Sequence, residues 1–179
     1  KNLKGIADAK GEIMNNITKG GAIILNRDDK FFNYLSKKAK QRKLNIISYG
    51  KSKKSDVHPI SITKNKKYKI LTVKIKENIA RIEIKNLNIH NVLSSLALIK
   101  ELNLNLSKIK YCFKTYEPTD GRGKIHNIRR YKKNFKLIDE SYNSNPLSLK
   151  NAIRNFDSIK KQKFKKYLLI GDMLELGKK

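Results

Sequence analysis

Several common signatures are missing from this 179-residue chain. Cys112 is the only cysteine, so no internal disulfide can form. That fits a reducing compartment. One cysteine and three histidines are too few for the usual zinc spacings. No apolar run reaches the roughly 18 residues of a membrane-spanning helix. The N-terminus lacks the basic-then-apolar pattern of a signal peptide. There is no Gly-x-x-x-x-Gly-Lys-Ser/Thr spacing, the usual loop for nucleotide phosphates. Acidic residues are also scarce, 15 against 42 Lys and Arg, for a net charge of +27.

Such a charge usually suggests nucleic acid or an anionic surface. Yet only seven of the basic residues are Arg. No basic motif interleaved with aromatics is present. Clusters such as Lys37-Lys38 and Lys51 to Lys54 fall beside expected elements, where solvated faces belong. The charge is therefore read as a Lys/Asn/Ile bias, with no specific nucleic-acid partner. A basic nucleic-acid-binding module stays as the alternative from a different class.

Apolar residues make up 39% of the chain, enough for a core. Ile6, Ala9, Ile13 and Ile17 predict one face of a helix over Leu3 to Ile17. Ala22 to Leu25 is a short buried strand. Asp28 is expected to cap a helix reaching Gln41, and Asn45 to Ser48 a second strand. Period-two fragments from Val57 to Ile84 predict antiparallel strands, with turns at Lys64 to Lys66 and Glu77-Asn78. Asn88 should cap a helix with Val92, Leu93, Leu96 and Ala97 inward. Another helix is expected from Leu106 to Tyr116. Pro118, Gly121 and Gly123 mark a domain boundary and hinge. Strands follow at Lys124 to Tyr131, Phe135 to Asp139 and Tyr167 to Ile170. A helix with Pro146 in its first turn separates the last two. Strands alternating with helices predict α/β layers.

Three segments could carry chemistry. Asp139 to Pro146 joins a strand end to a helix start, where α/β sheets bind ligands and helix N-termini attract anions. A carboxylate there can accept ribose hydroxyls; a plain polar loop with an Asn cap is the alternative. Lys10 falls between Ile6 and Ile13 on the expected apolar face. Lost hydration would favour its neutral amine, which can form a carbamate and so a metal ligand. Otherwise it reaches out to water. Asn88 and Asn91 start a helix and could read an adenine edge, or merely cap it.

The order of these segments resembles the Mur ligase family. Ile6 to Ile13 is similar to a central-domain motif. Asn26-Arg27-Asp28-Asp29 resembles the family's Asn-x-Asp-Asp turn after a strand. Asn88-x-x-Asn91 with Ser95-Leu96-Ala97 resembles its Asn-x-x-Asn helix. Gly121-Arg122 matches the pair that opens the C-terminal domain. Asp139 to Pro146 resembles Asp-Asp-Ser-Tyr-Asn-Ala-Asn-Pro. Gly171 to Gly177 matches Gly-Asp-Met-x-Glu-Leu-Gly. The last two point to the branch that adds D-alanyl-D-alanine. A folylpolyglutamate-type ligase fits Ser141 to Pro146 less well. Glu140 stands where Asp is commoner, and Lys85 and Leu87 where Gly and His are usual.

The resemblance implies an α/β fold in two pieces. Residues 1–117 would be the later part of a central ATP-binding domain with an antiparallel β segment. Residues 118–179 would begin a truncated Rossmann-like C-terminal domain. The chain does not start with Met, and more sequence is expected upstream, with a phosphate-binding loop. The implied reaction is ATP-dependent amide formation in the cytoplasm by a monomer. Its substrates would be UDP-N-acetylmuramoyl-tripeptide and D-alanyl-D-alanine. Lys10, as a carbamate, would hold magnesium (Mg2+), and Asn88 and Asn91 would face adenine. Arg122 would act near ribose and phosphates, with Glu140 on the ribose and Tyr142 near the nucleotide. Asn143, Ser144, Asn145, Asp172 and Glu175 would meet the substrates.

Overall fold

The computed structural model describes residues 2–64, 68–85, 87–159 and 165–173. The chain divides into two compact units, Lys1–Tyr116 and Glu117–Lys179.

Unit 1 opens with helix α1 (Leu3–Gly11) and a 3-10 turn (Glu12–Asn16). Strand β1 (Ala22–Asn26), helix α2 (Phe32–Gln41) and strand β2 (Asn45–Tyr49) form a parallel β-α-β unit. Strands β3 (Val57–Lys64), β4 (Lys69–Ile75) and β5 (Asn78–Ile84) follow as an antiparallel meander. One sheet holds all five in order β1-β2-β3-β4-β5. A single parallel pairing, Tyr49 with Val57, joins its two halves. Helix α3 (Ile89–Glu101) packs on β1 to β4. Two short turns of helix end the unit, α4 (Leu106–Ile109) and α5 (Cys112–Thr115).

The sheet separates two apolar clusters. Ile47, Leu71, Val73, Ile82, Ile84 and the α3 residues Val92, Leu93, Leu96 and Ala97 form one. Met14, Ile23, Leu25, Ala39 and Leu44 form the other. Alternate residues of β1 feed opposite clusters: Ala22 and Ile24 pack on the first, Ile23 and Leu25 lie in the second. A strand covered on both faces must be apolar throughout, which is why this run was legible.

Unit 2 has strands β6 (Lys124–Arg130) and β7 (Lys133–Asp139), paired as an antiparallel hairpin. Its two-residue turn, Tyr131-Lys132, has φ of 51° and 57°. Both are positive, as a primed hairpin turn requires. Helix α6 (Pro146–Ser158) has Pro at its start and Asn145 as cap. Among the described residues, only Gly121 of this unit is buried.

The structure corrects four expectations. The first helix stops at Gly11, and its buried residues are Ala7 and Gly11, followed by Met14. Ile6 and Ile13 are exposed. Small residues let α2 come close: a Cβ on Gly11 would lie 3.3 Å from Leu35 Cδ2. Asp8 beside them receives Lys38 Nζ at 2.5 Å and the Tyr34 hydroxyl. Lys10 is therefore exposed, not held on a dry face. Second, α2 begins at Phe32, because Asn26 and Asp29 close side-chain turns on Asp28 N (3.0 Å) and Phe31 N (2.7 Å). Third, the helix expected over 106–116 is two separate turns. Fourth, Tyr167 to Ile170 forms no strand. A strand needs a ladder partner, and among the described residues none pairs with it; Leu169 is 99% exposed.

Candidate functional site

Two loop clusters, one in each unit, gather several of the residues singled out above; Lys10 and Asp172 belong to neither. In unit 1 the β1–α2 turn meets the start of α3. Asp28 lies after β1, and Gly50 to Ser52 lie after β2, at neighbouring strand ends. Asp28 accepts the Lys51 N–H at 2.7 Å and the Ser52 N–H at 3.4 Å. A Cβ on Gly50 would come within 2.8 Å of Asp28 Oδ1, so only glycine fits against this carboxylate. His90 Nε2 lies 2.8 Å from Asp28 Oδ2 across 62 residues of sequence. Burial opposes the ionised form of Asp28. The Lys51 N–H, His90 and the Ser52 N–H outweigh it and hold the carboxyl below its ordinary value. Burial, then Asp29 and Asp28, push the Tyr49 phenol up.

Asn88 caps α3, its side-chain oxygen accepting the His90 N–H at 2.9 Å. That uses the oxygen and leaves the two amide hydrogens to point elsewhere. Asn91 is exposed, and its side chain pairs with no described residue. The capping reading is therefore right for Asn88 and leaves Asn91 without a local task. The sequence motifs assign His90 no role. Its partner lies far away in sequence, and only the fold joins them.

In unit 2 the Gly121-Arg122-Gly123 turn folds onto the Asp139 to Tyr142 loop. Asp139 accepts the Gly121 N–H and the Ser141 N–H, each at 3.0 Å. Its backbone carbonyl accepts the Gly123 N–H at 2.7 Å, and the Gly121 carbonyl accepts the Tyr142 N–H at 3.1 Å. The Arg122 guanidinium carbon sits 4.1 Å from the Tyr142 ring centre. The adjacent carboxylates diverge. Ser141, through hydroxyl and N–H, holds Asp139 below its ordinary value. Burial, then the charge of Asp139, pushes Glu140 up. Asp139 is thus consumed by structure, while Glu140 is the uncommitted carboxylate. Asn145 is committed too: its oxygen accepts the Leu147 N–H at 3.0 Å and the Ser148 N–H at 2.9 Å. Asn143, Ser144 and Asp172 are exposed. Glu175 lies outside the described residues.

Unit 1 offers side-chain amides at a helix start. Unit 2 offers the Arg122 cation over an aromatic ring and, in the adjoining loop, the Glu140 carboxylate. Among the described residues no three His, Cys, Asp or Glu side chains gather to hold a metal. No helix among them is long and apolar enough to cross a membrane.

Comparison with known proteins gives the family. The model of the Mur ligase middle domain matches residues 1–99. The chain belongs to the Mur ligase family. A UDP-N-acetylmuramoyl-tripeptide–D-alanyl-D-alanine ligase of Buchnera aphidicola is 29% identical over 99% of this chain and 38% of its own length. The ligase of that name from Rickettsia prowazekii is 30% identical, over 98% of this chain and 38% of its own. This chain thus spans about 38% of the length of these relatives. A crystal structure of MurF from Acinetobacter baumannii superposes with a TM-score of 0.72 at 22% identity. That alignment covers 89% of this chain and 34% of that one, and bears out the expected α/β fold.

Proposed function

We propose that this chain is part of an enzyme that adds D-alanyl-D-alanine to UDP-N-acetylmuramoyl-tripeptide at the expense of ATP. The observation that carries this is the extent of similarity. Relatives with that name align along nearly the whole chain, through both units. Support comes also from unit 2, where the Gly121-Arg122 turn is bonded to the Asp139 to Tyr142 loop, part of a branch-specific segment. The tripeptide carboxylate would attack the γ-phosphate of ATP to give an acyl phosphate. The dipeptide amine would then displace phosphate.

Within this reading Asn88 and Asn91 present amide groups to adenine. Arg122 supplies a fixed positive charge to phosphate or ribose oxygens. Glu140 accepts the ribose hydroxyls, a task that suits an uncommitted carboxylate. Tyr142 lies beside Arg122, and Asn143, Ser144, Asn145, Asp172 and Glu175 face the substrates. Asn145 does so through its backbone or an amide hydrogen, since capping occupies its oxygen. Lys10 is proposed as the carbamylated magnesium ligand on its motif alone, because its exposed position supplies no desolvation. The enzyme would be a cytoplasmic monomer.

The test is phosphate release by the full-length protein. It should require ATP, the UDP-linked tripeptide and D-alanyl-D-alanine together. Release driven by folate with glutamate, or by another amino acid in place of the dipeptide, would sink the assignment. Lys10→Ala should lose most activity and regain part of it with added short carboxylates. The 179-residue chain alone should not turn over, because it lacks the Gly-x-x-x-x-Gly-Lys-Ser/Thr spacing that aligns the γ-phosphate.

A further inference from the structure

Arg122 stands on an exposed turn, where a long side chain would ordinarily sample many rotamers. Here its guanidinium lies over the Tyr142 ring. The residue that carries the ring is anchored through its backbone. Tyr142 N–H donates to the Gly121 carbonyl, and Gly121 N–H donates to Asp139. A Cβ on Gly121, whose φ is +72°, would sit 2.8 Å from Tyr142 Cβ. The two backbones therefore touch, and the residue after Gly121 falls over the ring. Stacking uses only the face of a guanidinium and leaves its N–H donors free in the plane. Among the described residues Arg122 has no carboxylate partner to occupy them. A planar cation held by one face is prepared for two parallel hydrogen bonds to a phosphate.

We propose that Tyr142 is a positioning residue, whose ring, carried on a backbone tied to Gly121, holds Arg122 for a phosphate group of the nucleotide. This rests on the reading of Arg122 given above. The face of the ring does the holding, so the hydroxyl is dispensable.

The test measures KM for ATP and kcat in the full-length protein. Tyr142→Ala should raise KM for ATP about three- to tenfold, with a smaller change in kcat. Tyr142→Phe, which keeps the ring face, should recover most of that rise. Arg122→Ala should raise KM at least as much, and adding Tyr142→Ala to it should cause no further rise. In NMR spectra the Arg122 Nε–H proton should show a ring-current shift in wild type and Tyr142→Phe, lost in Tyr142→Ala. If Arg122→Ala leaves KM unchanged, the reading of Arg122 fails and this proposal goes with it. If Arg122→Ala is damaging but Tyr142→Ala is not, Arg122 keeps its role and the positioning by Tyr142 is refuted. Positioning is refuted equally if Tyr142→Phe is as damaging as Tyr142→Ala, or if the two losses simply add.

Discussion

Unit 1 and unit 2 are held together by different means. Unit 1 has a sheet between two apolar clusters, with Leu71, Val73, Leu93 and Leu96 wholly buried. Unit 2 buries only Gly121 among its described residues and relies on turns, caps and a two-stranded hairpin. Phe135, Leu137 and Leu147 remain about half exposed or more. A shape set by apolar burial tolerates changes in individual polar bonds. A shape set by a few backbone bonds depends on each of them, and the Arg122 turn belongs to the second kind.

The largest contrast should come from truncating apolar side chains. Leu93→Ala is expected to cost about 2–5 kcal/mol, since it leaves a cavity in a closed cluster. Phe156→Ala on the half-buried side of α6 should cost about 1 kcal/mol. Urea denaturation with a probe in each unit measures both. Equal losses would mean that unit 2 has a core of its own, and the comparison would collapse.

Glycines sharpen it next. Gly121 and Gly20 both have positive φ, +72° and +82°, but only Gly121 has a neighbour in the way of a Cβ. Gly121→Ala should cost about 2–3 kcal/mol through strain and collision together. Gly20→Ala, strained but unobstructed, should cost about 1 kcal/mol. Thermal unfolding of the two variants gives the order, and a reversed order would contradict the contact with Tyr142.

Helix caps should differ less. Asn145→Ala and Asn88→Ala each remove a side-chain cap, worth about 1 kcal/mol. The consequences should diverge even so. Hydrogen exchange in α6 should accelerate through its first turns, whereas α3, anchored by four buried residues, should fray only at its start. Similar exchange in both helices would mean that α6 is supported by more than its cap.

The smallest effect is electrostatic. Asp28 and Asp139 are held below their ordinary values, so their contribution to stability is present above the unfolded value of about 3.9 and lost as pH falls through the folded value. Glu140 runs the other way. Its folded value is raised, so its ionisation opposes the fold above that value and ceases to do so as pH falls through it. Carbon NMR titration of the side-chain carboxyls should find Asp139 lowered and its neighbour Glu140 raised. A low value for Glu140 would remove the distinction between the committed and the free carboxylate.

Much of this was legible in the sequence, for local reasons. The α3 stripe Val92, Leu93, Leu96 and Ala97 is buried as its spacing requires. Pro146 and the Asn145 cap start α6 as their chemistry requires. The α1 stripe misled, because periodicity marks a face without saying which face a neighbour will take. Ala7 and Gly11 were chosen by the approach of α2, and Lys10 was left in solvent. Tyr167 to Ile170 misled as well: strand-forming residues make no strand without a partner.

What the sequence determined by itself is what depends on near neighbours: helix starts, apolar periods, the turn-forming glycines and the ordered motifs that mark a Mur ligase. The tertiary structure alone decided the pairings between distant residues. It set His90 against Asp28, Gly50 against the same carboxylate, and Arg122 against Tyr142. It also separated Asp139 from Glu140, two adjacent acids that composition cannot tell apart. The reason is that a side chain's charge state and freedom depend on which donors and surfaces surround it. For these residues those surroundings include groups 18 to 62 positions away in the chain.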